Sequence, residues 1–231
     1  MLLELTFGGV LALAAEIEAP SRRASVNYND LVCAARAVLI ESTIPKESVD
    51  GQAAVAEALK NRTGDGRWGI TVCDTVNMKY KVVRTQIVRK RVRGKIRKVP
   101  QTKTSYVYDI SSVGMKRFDS VKGTAAQEGL ATVISYDVLR GEYQLPGHLN
   151  GALHWMYRAK SAKGGVAWFD CIAESLGQAA QGDFHVFYKD ADYGTLAVRW
   201  VEKAKCRKYI EVLWKAEARK QQKLELLSSI R

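Results

Sequence analysis

Apolar residues at helical spacing lie on both sides of Glu41. The first stripe consists of Leu31, Ala34, Ala35, Val38 and Leu39. Its spacing predicts a helix over residues 27–40 that ends near Glu41. Candidates for the N-cap of this helix are Asn29 and Asp30. Pro45 then interrupts the pattern, and Ser48 is placed to cap a second helix that ends before Gly64. We therefore expect Glu41 at a helix end, beside a short loop.

Two further helical patterns follow later in the chain. After Gly123, apolar residues at steps of three and four predict a helix that stops at Gly141. From about Thr195 to Leu227 we predict one long amphipathic helix. The aromatic-rich segments GALHWMYR and VAWFDCIAESLG are expected to form shorter helical or irregular packing segments. Together these patterns predict a mainly α protein of the α+β class.

The segment from Lys79 to Lys103 differs sharply from the rest in charge. It contains eleven Lys or Arg residues and no acid, so most of the chain's formal net charge of +12 lies here. Within it, IVRKRVRGKIRKV alternates apolar and basic residues around Arg93-Gly94, which predicts a two-stranded hairpin with a glycine turn. A disordered basic loop is the alternative, and the Val and Ile content argues against it.

Such a hairpin would attract polyanions: nucleic acid, anionic lipid or the acidic polymers of a bacterial envelope. The alternative is that the hairpin is merely a solvated element. The candidate polyanion-binding residues are Arg89, Lys90, Arg91, Arg93, Lys95, Arg97 and Lys98.

The four cysteines are scattered and form no CxxC pair, so they do not indicate a zinc site. They are compatible with one or two disulfides or with buried thiols, and we favour buried thiols because Cys33 and Cys206 fall within helical patterns. The N-terminal apolar run from Phe7 to Ala15 is too short to span a bilayer. It lacks a basic n-region, so we expect a packed segment; cleavage of a signal peptide after Ala15 is the alternative.

Glu41 is the strongest candidate for chemistry. A carboxylic acid beside Leu39 and Ile40 at a helix C-terminus can remain protonated, because apolar burial and the helix dipole both disfavour its charged form. Cleavage of a glycosidic bond needs a protonated carboxylic acid to donate to the leaving oxygen. The alternative is an ordinary solvated glutamate.

The surrounding segments occur in a characteristic order. ARAVLIES is followed by DGQAAVAEALKNR, and then by TVCDTV, YDISSVG, GALHWMY and FHVFY. This order resembles the cell wall hydrolase family typified by the spore-cortex-lytic SleB enzymes. The resemblance spans about two thirds of the chain, from Leu31 to Tyr188, and is sharpest in the first two segments.

The resemblance implies a lysozyme-like fold that cleaves peptidoglycan glycan strands, with Glu41 as general acid/base and no cofactor. Such enzymes are similar to lytic transglycosylases, in which the 6-hydroxyl of N-acetylmuramic acid closes an anhydro ring. In lysozyme-like folds a β-rich lobe usually forms the far wall of the cleft, and the basic hairpin is placed in the chain to form or enlarge it.

The chain also departs from the family pattern. Members commonly have Gln-Phe-Ser where this chain has Asp109-Ile110-Ser111. If Asp109 lines the cleft, it adds a second carboxylate and makes water-activated hydrolysis possible; otherwise it is a turn or strand-edge residue.

Several other residues are candidates for contacts with the sugar. Ser111 and Ser112 could donate hydrogen bonds, or be ordinary loop serines. Aromatic side chains can stack on a pyranose ring, although most aromatics belong to a core. The aromatic candidates are Tyr108, Trp155, Tyr157 and Trp168. His185 belongs to the FHVFY segment, and a structural role is favoured for it.

No histidine pair is spaced for zinc, which weighs against an N-acetylmuramoyl-L-alanine amidase. We thus expect an N-terminal apolar arm (1–26), a lysozyme-like catalytic domain (27–194) with the basic insert at about 79–104, and a C-terminal amphipathic helix (195–231). The expected partner is peptidoglycan, with virion proteins docking on the C-terminal helix as a further hypothesis. The expected setting is a phage virion or the host periplasm and envelope, as a virion-associated lysin or a lysis-stage endolysin. The alternative is a virion structural or polyanion-binding protein.

Overall fold

The computed structural model describes residues 25–65, 67–92, 95–108, 122–158 and 168–229. Within these ranges the protein is a mixed α+β fold in which helices predominate, as the hydrophobic pattern predicts. The helices are α1 (Tyr28–Val38), α2 (Val49–Asp65), α3 (Val72–Val76), α4 (Ala125–Arg140), α5 (Phe169–Ile172), α6 (Tyr193–Glu202) and α7 (Arg207–Ser229). The strands are β1 (Lys79–Val92), β2 (Lys95–Tyr108), β3 (His154–Tyr157), β4 (Ala173–Gly177) and β5 (His185–Asp190). The predicted N-terminal arm lies almost wholly outside the described residues.

The two helices that flank Glu41 begin at polar caps. Asn27 caps α1, because its side chain accepts the N–H of Asn29 at 2.9 Å. The prediction of Asn29 or Asp30 as the cap was therefore wrong, since the helix begins before them. Ser48 does cap α2 as predicted, accepting the N–H of Gly51 at 3.0 Å. This helix continues to Asp65, past its predicted end.

Helix α2 lies at the centre of the helical layer. Six consecutive residues at its start, from 51 to 56, are buried, so the helix has no solvent-facing side there. Alanines dominate this segment, and their small side chains let α1 and α4 approach closely. Val38, Ile134 and Phe187 fill the space between these elements. Helix α4 stops at Gly141, which adopts a left-handed conformation (φ 77°), as predicted.

The C-terminal region contains two helices where one was predicted. Helix α6 ends at Glu202, and a short 3-10 turn (Ala204–Cys206) precedes α7. The break brings Cys206 against α5, where Ile210 and Leu213 are also buried. The first turns of α7 therefore pack on their own domain.

A second sheet was not predicted. Strands β3, β5 and β4 form a three-stranded antiparallel sheet in that order. The segments GALHWMYR and VAWFDCIAESLG, expected to be helical or irregular, supply β3 and β4, and the second also supplies α5. These strands have four and five residues, too few to establish an alternating pattern.

All four cysteines are paired, so the preference for buried thiols was wrong. Cys33 in α1 bonds to Cys73 in α3, and Cys171 bonds to Cys206. Their Cα atoms lie 5.2 and 5.0 Å apart, within the usual range for a bridge. Helical positions do not exclude such pairing when two helices meet. Disulfides are typical of proteins from oxidising compartments, such as the cell exterior. None of the helices in the described ranges has the length and apolar content that crossing a membrane requires.

The predicted basic hairpin is confirmed. Strands β1 and β2 pair from Lys79 with Tyr108 to Val92 with Lys95, further than the predicted insert. Nearly all of its described side chains are exposed on both faces. The turn residues Arg93 and Gly94 lie outside the described residues.

Candidate active site around Glu41

Glu41 lies in a π-helical turn (Leu39–Thr43) that extends α1. Two side chains of this turn are anchored: Ser42 Oγ donates to the carbonyl of Val38 at 2.8 Å, and Thr43 Oγ1 donates to Gln52 Oε1 at 2.7 Å. Gln52 belongs to α2, so the turn is tied to the central helix. Such single wide turns are frequent at functional sites. The Glu41 side chain is 7% exposed and is held at the edge of the helical core.

Two aromatic rings face the Glu41 carboxylate. Trp155 Nε1 donates to Glu41 Oε2 across 3.4 Å, and His185 Nε2 lies 3.7 Å from the same oxygen. Trp155 comes from β3 and His185 from β5, so the second sheet supplies both contacts. The carboxylate is therefore held between a helix end and a sheet.

The register of the sheet explains why these rings are on the same side. Trp155 pairs with Phe187, and Tyr157 pairs with His185. Directly opposed residues of antiparallel strands share a face. Since successive residues alternate between faces, Trp155 and Tyr157 both point to the side that carries His185.

Glu47 is a second carboxylate at the site, and the sequence pattern did not predict it. Its Oε1 accepts the backbone N–H of His185 at 2.7 Å, and His185 Nδ1 lies 2.8 Å from the same atom but is poorly aligned for a hydrogen bond. The imidazole of His185 thus stands between the carboxylates of Glu41 and Glu47. The Glu47 side chain is fully buried, and its Oε2 accepts no hydrogen bond from the described residues.

Gly51 leaves room for two carboxylates at the start of α2. A Cβ atom at this position would lie 2.8 Å from Asp183 Oδ2 and 2.9 Å from Glu47 Oε2. Asp183 in turn accepts the Ser48 N–H (2.9 Å) and the Ala180 N–H (3.0 Å), and Ser48 Oγ donates to it at 2.7 Å. These bonds fix the loop before β5 to the start of α2 and so position His185.

Tyr157 forms the half-exposed side of the site, with 46% of its surface accessible. Its ring centroid is 4.5 Å from that of His185. Burial raises the pKa of its phenol, and the charges of Glu41 and Glu47 raise it further. The phenol is therefore a hydrogen-bond donor at neutral pH, placed where a ligand of Glu41 could meet it.

Trp155 is also held from its other side. The guanidinium of Arg62 lies 4.7 Å from the Trp155 ring centroid, and Arg62 Nε donates to the carbonyl of Leu153 at 2.6 Å. Arg62 is on α2, in the second segment of the family resemblance. It fixes the orientation of the indole that donates to Glu41.

Trp168, another predicted site residue, lies away from Glu41. Trp168 contacts His154, at 5.2 Å between ring centroids, and His154 alternates with Trp155 on β3. The structure therefore places Trp168 on the opposite face of the sheet from Glu41. Tyr108 is the last residue of β2. Asp109, Ser111 and Ser112 lie outside the described residues.

That opposite face holds a separate buried charge network. His154 Nε2 lies 3.1 Å from Asp190 Oδ1, and Arg67 pairs with both Asp190 and Asp65. Burial lowers the pKa of His154. Burial alone would raise the pKa of Asp190, but its contacts with His154 and Arg67 outweigh this and lower it. This network holds β3 to β5 and to the segment after α2.

Comparisons with protein-family models, curated proteins and solved structures gave no match. No group of three or more His, Cys, Asp or Glu residues in the described ranges is arranged to hold a metal ion.

Glu47 and Asp183 give little signal in the sequence. Acids beside a helix start are usually interpreted as caps, and Glu47 directly precedes Ser48. The one available clue was Gly51 inside an alanine-rich helix, because a glycine there costs stability unless something approaches closely. The sequence does not indicate that the groups close to Gly51 are the carboxylates of Glu47 and Asp183.

Proposed function

We propose that this protein cleaves the glycan strands of peptidoglycan, with Glu41 as the general acid/base. The observation that carries the proposal is the convergence on Glu41 of residues from distant segments. Trp155 from GALHWMY and His185 from FHVFY face the Glu41 carboxylate directly. Tyr157, also from GALHWMY, packs on His185, and Gln52 from the GQAAVA block binds Thr43 in the turn that carries Glu41. These are among the segments on which the resemblance to the cell wall hydrolases depends. A shared site explains why they occur together in one chain.

The geometry around Glu41 suits proton transfer. As general acid, the carboxylic acid would protonate the oxygen that bridges two sugars. The resulting carboxylate is stabilised by the Trp155 N–H, 3.4 Å away. Because Trp155 and His185 are both fixed by the sheet, little reorganisation is needed when the charge develops.

The second step needs a nucleophile. Glu47 is unsuited to activate water, since its side chain is fully buried and faces His185. The Glu41 side chain keeps 7% exposure, whereas that of Glu47 has none. We favour the transglycosylase course, which needs one carboxylate and in which the 6-hydroxyl of the muramic acid attacks the anomeric carbon. Its proton passes to Glu41, the glycosidic bond breaks, and an anhydro ring forms.

Two disulfides agree with action outside the cytoplasm. Within this proposal the protein works in the bacterial envelope, as a virion-associated lysin or a lysis-stage endolysin.

The test is the Glu41→Gln variant on purified sacculi. The amide keeps the size of the side chain but cannot donate the proton, so we expect a loss of about 10²–10⁴-fold in release of soluble fragments. Glu128→Gln makes the same change on the exposed surface of α4 and should retain full activity. Glu41→Gln with wild-type activity and an intact fold would refute the proposal.

Mass spectrometry of the fragments identifies the bond that is cut. Anhydro ends indicate transglycosylase action, and reducing ends indicate hydrolysis. Freed stem peptides together with loss of activity on chelation would indicate a zinc amidase and contradict the role of Glu41.

A further inference from the structure

The basic hairpin is a second candidate binding surface, because it carries a dense positive charge. Strands β1 and β2 have 14 residues each, so the ribbon is about 46 Å long at about 3.3 Å per residue. No acid occurs between Lys79 and Tyr108. The ribbon therefore has no acidic side chain of its own with which to balance its charge.

The register sets like charges directly against each other. The opposed pairs are Arg84 with Lys103, Arg89 with Lys98, and Lys90 with Arg97. All six side chains are exposed. Like charges directly opposite on a sheet are destabilising, and sequences usually avoid them. A bound polyanion would neutralise the repulsion within these three pairs.

Both faces of the ribbon carry this charge. Arg89 and Lys98 point to one face, while their neighbours Lys90 and Arg97 point to the other. A flat anionic membrane could contact only one of these faces at a time. A thread-like polymer, or a mesh of such polymers, can contact both.

We propose that the tip of this hairpin, formed by residues 89–92 of β1 and 95–98 of β2, binds a phosphodiester-linked anionic polymer of the cell envelope. Phosphate chains supply closely spaced negative charges that match exposed Lys and Arg. The disulfides Cys33–Cys73 and Cys171–Cys206 favour an envelope polymer over nucleic acid, because they belong to an oxidising compartment. This inference goes beyond the proposed cleavage of glycan strands, and binding alone tests it.

The experiment measures binding of the full, disulfide-bonded chain to poly(glycerol phosphate) over a range of salt concentrations. The hairpin variant replaces Arg89, Lys90, Arg97 and Lys98 by Gln. The control variant replaces the exposed Lys122, Lys203, Lys205 and Lys208 by Gln and so has the same net charge. We expect at least tenfold weaker binding for the hairpin variant and less than a twofold change for the control.

The salt dependence gives a second readout. Each lost phosphate contact should lower the slope of log affinity against log salt by about 0.7, so four contacts lower it by about 3. Because the replaced pairs repel each other, the hairpin variant should unfold at no lower urea concentration than the wild type. If that variant fails to fold, trypsin digestion of the wild type serves instead, with the polymer expected to protect residues 89–98.

Four outcomes would overturn the proposal. Equal loss in the two variants would mean that only net charge matters. Tighter binding to a DNA duplex at equal phosphate concentration would assign the hairpin to nucleic acid. Binding to phosphatidylglycerol vesicles but not to the polymer would assign it to a lipid surface. Absence of trypsin protection in the wild type would exclude the tip as the binding surface.

Discussion

Replacing Gly51 by alanine tests the packing of two carboxylates at the start of α2. The new Cβ would lie 2.8 Å from Asp183 Oδ2 and 2.9 Å from Glu47 Oε2, closer than such contacts normally come. Either a carboxylate moves or the helix shifts. Movement of Asp183 would weaken the bonds that it accepts from Ser48, and movement of Glu47 would disturb His185.

The expected change in the free energy of unfolding of Gly51→Ala combines two opposing effects. Overpacking of a tight site costs about 1–3 kcal/mol. Alanine in place of glycine within a helix contributes about 0.5–1 kcal/mol in the opposite direction. We therefore expect Gly51→Ala to lower the free energy of unfolding by up to about 2.5 kcal/mol.

Gly129 provides the matched control. It lies within α4, and a Cβ atom there would meet nothing within 4 Å. Gly129→Ala should therefore raise the free energy of unfolding by about 0.5–1 kcal/mol, because alanine has a higher helix propensity than glycine and no contact opposes it. The difference between the two variants isolates the contact with Asp183 and Glu47, at about 1–3 kcal/mol.

Urea unfolding with both disulfides intact measures these effects. At an m value of about 2 kcal/mol/M, Gly51→Ala should lower the urea midpoint by up to about 1.2 M, and Gly129→Ala should raise it. If Gly51→Ala is as stabilising as Gly129→Ala, the two carboxylates do not surround Gly51, and they do not position His185 in the way described above.

Two further predictions concern stability. His154 is held neutral in the folded state because its pKa is lowered from its ordinary value of 6.5, whereas the unfolded chain takes up a proton near that pH. The free energy of unfolding should thus fall as the pH drops from about 7 to 5, by at most about 1.4 kcal/mol per pH unit for this group, and this slope should flatten in His154→Gln. A wild-type slope in His154→Gln would contradict the assignment of this decline to His154. A second decline in the free energy of unfolding, due to Asp190, should begin below pH 3.8, the ordinary pKa of its carboxyl. Replacing Cys33 and Cys73 by serine removes a bridge between residues 40 positions apart and should cost about 2–4 kcal/mol in urea unfolding. Free thiols in the unreduced, denatured wild type would contradict that pairing.

The elements that the sequence predicted well are those whose signals are local. The helix before Glu41, the helix capped by Ser48 and the helix that stops at Gly141 each combine apolar spacing with a cap or a stop. The basic hairpin was predictable for a similar reason, since alternation around a glycine turn specifies its own pairing.

Other features depend on contacts between distant segments. Strand β3 has four residues, and its identity depends on pairing with β5, about 30 residues later. The break near Lys203 places Cys206 against Cys171, a contact that the helical pattern on either side cannot reveal. The pairing of the cysteines likewise depends on contacts between distant segments.

The candidate site also has one feature that local signals predict and others that depend on tertiary contacts. Apolar spacing and a nearby proline were enough to place Glu41 at a helix end, because both act within a few residues. The contacts of Glu41 on which the proposed function depends were decided by tertiary structure alone: the Trp155 donor, the His185 ring and the buried Glu47 behind it. The physical reason is that a buried polar contact is specified by the relative position of two packed elements, and no short stretch of chain encodes that position.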